Sequence, residues 1–111
     1  MAHEVEMPEF VRAHEAGHLT VDVREPEEYT AGHVPGARLI PLGTLPQHTA
    51  SLPKDQPIYV ICASGHRSLA GAEVLTRAGL DAHSVAGGTL GWMRAGNPVV
   101  TGDSPTGDSP A

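Results

Sequence analysis

The chain has 111 residues, 40% of them hydrophobic and only 4% aromatic, so a single domain with a mainly aliphatic core is expected. A net charge of -6 disfavours nucleic acid and anionic membranes as principal partners, because both need clustered Lys and Arg to neutralise phosphate; any anion site must be local. No run of about 18 apolar residues exists and Met1 to Phe10 is acidic, so no membrane partner and a cytoplasmic location are expected, while one cysteine excludes an internal disulfide framework and a Cys-rich metal site.

The first predicted element is a short helix from near Pro8, with Pro in the tolerated first turn and Gly17 as its stop. Leu19 to Arg24 reads as a strand. Pro26-Glu27-Glu28-Tyr29 suits a helix N-terminus and ends at Gly32, and Ala37 to Ile40 reads as a short strand after the Pro35-Gly36 turn. Leu42 to Leu52 is weakly helical and interrupted by Pro46. Ile58-Tyr59-Val60-Ile61-Cys62 is the clearest strand, a continuous apolar run of the kind buried on both faces of a parallel sheet. Leu69, Ala72 and Leu75 give the helical spacing of a buried face within a helix from Arg67 to Gly79. Asp81 to Val85 is a last strand, and Gly87-Gly88 turns the chain into a short helix holding Trp92. The tail repeats Thr-Gly-Asp-Ser-Pro at 101–105 and 106–110 and lacks large apolar residues, so disorder is expected over 98–111, with the folded domain over 1–97.

Alternating strands and helices predict an α/β fold, a mostly parallel sheet with helices on both faces. Sites in such folds lie beyond the carboxyl ends of strands, where Cys62 stands. A lone Cys is by default an inert core thiol. Its neighbours argue otherwise: Gly65, His66, Arg67 and Ser68 open the long helix, whose backbone N–H groups can converge on the sulfur. Arg67 adds a fork of donors, and Ser68 is either the helix N-cap or a hydrogen-bond partner of the thiolate. Because thiolates attack and their pKa falls near cations and helix N-termini, Cys62 is expected to be a nucleophile that ionises below the ordinary thiol value, with Arg67 and the loop amides as the cause.

Cys62-x-x-Gly65-x-Arg67-Ser68 resembles the active-site loop of the rhodanese family. Asp22-Val23-Arg24-Glu25 with Tyr29, Gly32-His33-Val34-Pro35-Gly36-Ala37 with Ile40-Pro41, and Gly87-Gly88 with Trp92 follow the family's order over roughly residues 4 to 96. The resemblance implies a five-stranded sheet and a sulfurtransferase of the thiosulfate:cyanide type. In that scheme Cys62 accepts a sulfane sulfur from a small anionic donor, and passes it as a persulfide to cyanide or to a thiol, including a protein thiol such as that of thioredoxin; no cofactor and no metal are implied. Ala63, Ser64, Gly65, His66, Arg67 and Ser68 would bind the donor. Asp22 and Arg24 would brace the loop, or serve only as an internal ion pair that organises their turn. His33 is expected to hydrogen-bond backbone, and Trp92 to be core or pocket wall.

The family's two-domain thiosulfate enzymes have a cation before the residue matched by Tyr29 and a basic residue after the Cys, where this chain has Glu28 and Ala63; thiosulfate is therefore expected to be a weak donor. Two other readings compete. Phosphatases and arsenate reductases of related fold have five residues between Cys and Arg, whereas four separate Cys62 from Arg67, which favours sulfur over phosphate. A non-catalytic interaction module is the other, and the presence of Cys62 with Gly65 and Arg67 argues against it. His14 and His18 have one-face helical spacing, but Gly17 falls between them, so surface histidines rather than metal ligands are expected.

Overall fold

A computed structural model of the chain describes residues 3–108. Five strands, β1 (His3–Val5), β2 (Leu19–Asp22), β3 (Arg38–Leu39), β4 (Ile58–Ile61) and β5 (Ala82–Val85), form one sheet in the order β1-β5-β4-β2-β3, every neighbouring pair parallel. The apolar run at 58–62 becomes the central strand, as its two-sided burial requires. β1 has no counterpart in the sequence reading. It is three residues long at the sheet edge with only Val5 buried, too short for any periodicity to register.

Side chains of β4 alternate between two cores. Ile58, Val60 and Cys62 point to one face, with Val21, Val23, Leu45, Ala72 and Leu75, under helix α3 (His66–Arg77) and a run of 3₁₀ turns over Leu42–Ser51. Tyr59 and Ile61 point to the other, with Phe10, Tyr29 and Trp92 from helices α1 (Met7–Glu15), α2 (Pro26–Ala31) and α4 (Gly88–Arg94). Among the described residues no helix is long and apolar enough to cross a membrane. The 3₁₀ geometry has a local origin: Pro46 lacks an N–H, and the hydroxyls of Thr44, Thr49 and Ser51 each donate to the carbonyl three residues back. Gly71 lets α3 lie close on the sheet, since a Cβ there would stand 3.1 Å from Val60 and 3.3 Å from Val23.

Disorder is expected over 98–111; residues 98–108 make hydrogen bonds to the body of the domain, and 109–111 lie outside the described residues. Val100 and His33 exchange both backbone hydrogen bonds at 2.9 Å, Gly102 N donates to Thr30 O, and Gly36 N donates to Pro105 O at 2.7 Å. The buried His33 ring is the anchor. Its Nδ1 is 2.8 Å from Tyr29 O and its Nε2 is 2.9 Å from Ser104 O, while its face stacks on Tyr29 at 3.6 Å. The segment is held by backbone pairing to α2 and the loop after it, and by Val99, which packs against the core.

Candidate active site

The loop after β4 curls back on its own first residue. Gly65, at φ 112°, is the N-cap of α3, a left-handed conformation that glycine adopts without steric cost. The turn aims two amides at the sulfur: Gly65 N is 3.1 Å and Ser68 N 3.3 Å from Cys62 Sγ. The Ser68 hydroxyl lies 3.5 Å from Sγ, so Ser68 is the sulfur's neighbour rather than the helix cap. It also touches the Ser84 hydroxyl at 2.8 Å, and both serines are fully buried. Ser84 escaped the sequence reading. Its one signal is a hydroxyl among small and aliphatic residues at the carboxyl half of a buried strand.

Cys62 is 1% exposed. Burial pushes its pKa up, but donors on Ser68, Gly65 and Ser64 outweigh it and hold the thiol below its usual value. The direction matches the sequence expectation, and so does the part of the cause assigned to the loop amides. Arg67 was expected to share the work, yet both its terminal nitrogens are engaged by Glu28, Nη1 to Oε1 at 2.7 Å and Nη2 to Oε2 at 2.9 Å. Glu28 is placed by a capping box at the start of α2, accepting from Glu25 N at 3.1 Å, and the arginine draws its pKa down to about 2.

Asp22 ends β2 in register beside Ile61, and Arg24 follows two residues on. They form a buried ion pair: Arg24 Nη2 and Nε donate to Asp22 at 2.8 to 3.1 Å, and Nη2 also donates to Gly32 O. With Val23 N donating to Ile61 O, the pair organises the strand end beside the loop. The other side of the loop is clamped by α4, where Thr89 N and Oγ1 donate to Cys62 O at 2.8 and 3.0 Å and Leu90 N donates to Ala63 O. Only glycine fits at the start of that helix, for a Cβ on Gly88 would lie 2.5 Å from Cys62 O. Trp92 is core wall, its Nε1 donating to Pro98 O.

A cleft of about 340 Å³ opens beside the loop, lined by Arg24, Glu28, Gly32, Ala63, Leu90 and Met93. Ser64 and His66 are exposed at its edge of the fold, as expected of a loop that meets solvent. A somewhat larger cleft of about 390 Å³ lies at the opposite end of β2, among His14, His18, Thr20, Arg38 and Gln56, and has no nucleophile. His14 turns its Nε2 to Pro35 O at 2.7 Å.

The family model for the rhodanese-like domain matches residues 7–95. The chain belongs to that family. Among curated relatives, this rhodanese-like domain is 39% identical over 97 residues to an HTH-type transcriptional regulator of Mycobacterium tuberculosis, a match covering 85% of this chain and 43% of the regulator. The chain thus spans less than half the length of that relative. It is 34% identical over 83 residues to a sulfurtransferase of Allochromatium vinosum, covering 74% of this chain and 78% of that protein. A rhodanese-related protein from Thermoplasma volcanium superimposes with a TM-score of 0.83 at 33% identity, covering 90% of this chain and 99% of the other. The all-parallel five-stranded sheet and its flanking helices are accordingly those of the rhodanese-like fold.

Proposed function

We propose that the protein is a sulfurtransferase in which Cys62 is the catalytic nucleophile and sulfur carrier. The observation that carries the reading is the convergence of Gly65 N, Ser68 N and the Ser68 hydroxyl on one buried sulfur. Such donors stabilise the attacking thiolate. The sulfurtransferase of A. vinosum supports the same chemistry by relatedness.

In the first half-reaction the Cys62 thiolate attacks the sulfane sulfur of a donor. The new bond is S–S on Cys62, the donor's own S–S bond breaks, and the leaving group departs with the electron pair, sulfite in the case of thiosulfate or a thiolate in the case of an organic persulfide. In the second, cyanide or an acceptor thiolate, such as a thioredoxin-like protein thiol, attacks the outer sulfur and returns Cys62 as thiolate. This double displacement predicts ping-pong kinetics. The residues around the donor would be Ala63, Ser64, Gly65, His66, Arg67 and Ser68, with Asp22 and Arg24 bracing the loop from β2. Four residues between Cys62 and Arg67 leave the loop drawn in on the sulfur itself, which favours sulfur over phosphate. A reducing cytosol suits a chain whose single thiol must be regenerated.

The test is mass spectrometry after incubation with thiosulfate and, separately, polysulfide. One added sulfur on the wild-type protein is expected, removed by cyanide and absent from Cys62→Ser. A protein that stays unmodified with both donors would overturn the reading in favour of a binding module.

A further inference from the structure

Resting on that reading, we infer that Glu28 selects the donor: by pairing with Arg67 it weakens the loop's use of dianions such as thiosulfate relative to organic persulfides, whose transferring end carries at most one charge.

The cations nearest the loop are Arg24 and Arg67, and each is matched by a carboxylate. Arg24 is held in a buried pair with Asp22, and its Nη2 also donates to Gly32 O. Arg67 is held bidentately by Glu28, a geometry that spends both terminal nitrogens on one partner. Glu28 is itself fixed, since the same oxygen that meets Arg67 Nη1 accepts Glu25 N in the α2 capping box. A carboxylate held in this way lines the cleft beside Arg24 and Ala63, the residue that follows Cys62.

Charge alone then discriminates among donors. Thiosulfate brings two negative charges next to a carboxylate that already matches the charge of Arg67. An organic persulfide brings at most one: Cys62–S⁻ + R–S–SH gives Cys62–S–SH + R–S⁻, in which the donor's S–S bond breaks, the Cys62 S–S bond forms and the thiolate leaves with the electron pair. The amides of Gly65 and Ser68 that face Sγ are hydrogen-bond donors suited to the single charge of the attacking thiolate.

Glu28→Gln tests the inference, because glutamine keeps the oxygen that accepts Glu25 N while removing the charge. The kcat/KM for thiosulfate divided by that for glutathione persulfide should rise about tenfold, the size expected for one charge at a partly exposed site. A readout independent of turnover is protection of Cys62 from iodoacetamide by sulfate, whose half-protecting concentration should fall by a similar factor. Glu28→Ala is measured alongside, with circular dichroism to establish folding, and should move both quantities the same way. An unchanged or lowered donor ratio, with unchanged sulfate protection in folded variants, would overturn the role of Glu28. Failure of every donor to load sulfur on the wild-type Cys62 would instead overturn the sulfurtransferase reading, so the two failures are distinct.

Discussion

At the scale of the residue, the sulfur of Cys62 is held chiefly by hydrogen-bond donors, with the charge of Arg67 acting on it from farther off. A buried thiolate without partners would be costly, and the arrangement at Cys62 offsets that cost with two amides and a hydroxyl within 3.1 to 3.5 Å. Because the folded thiol is held below its usual value, its iodoacetamide reactivity should persist as pH falls beneath the free-thiol midpoint of about 8.5 and decline only once the lowered value is passed. Ser68→Ala removes one donor to an anion and should raise the alkylation midpoint by about one pH unit. Ser84→Ala should raise it by a few tenths, since Ser84 acts through the Ser68 hydroxyl. A wild-type midpoint at or above 8.5 would contradict the account. Cys62, Gly65 and Ser68 were legible in the sequence because they are adjacent in it. Glu28 stands 39 positions from the arginine it engages, and Ser84 reaches the sulfur only through the pairing of β4 with β5. Long-range partners of this kind leave no local pattern.

At the scale of the element, the helices that flank the sheet position the loop as much as they cover the core. α3 brings amides to the sulfur through its first turn, α2 presents Glu28 through its capping box, and α4 grips the carbonyls of Cys62 and Ala63. The helix over 66–77 and the strand over 58–61 were recognisable because their burial is periodic or continuous. β1 and the grip of α4 were not, the first being three residues at an edge and the second being backbone contact that any sequence with the right glycine could make. That glycine is therefore the point to test. Gly88→Ala adds a Cβ 2.5 Å from Cys62 O and 2.6 Å from Ala63 O at a residue with φ 59°. It should destabilise the protein by about 2–4 kcal/mol in urea unfolding and slow sulfur loading of Cys62 at the same time. A substitution neutral in both measurements would show that α4 does not hold the loop.

At the scale of the molecule, the segment after α4 is part of the folded body, pinned through His33 and Val100 to the loop between α2 and β3. Truncation after Val100 removes the carbonyls of Ser104 and Pro105 that face His33 Nε2 and the acceptor of Gly36 N. The loss should be about 1–2 kcal/mol, seen as a melting temperature lower by roughly 5–10 °C, while sulfur loading of Cys62 is retained. An unchanged melting temperature would mean that these contacts add nothing to stability.

The two-sided sheet has one more implication. Because Ile58, Val60 and Cys62 face α3 while Tyr59 and Ile61 face α1 and α4, the sulfur's address is a matter of odd and even positions along β4. A single-residue insertion in that strand would keep every motif of the chain intact to the eye, yet deliver the thiol to the aromatic side beneath Phe10 and Trp92, where no amide waits for it. The parity of β4 thus belongs to the site as much as the length of the loop that follows it.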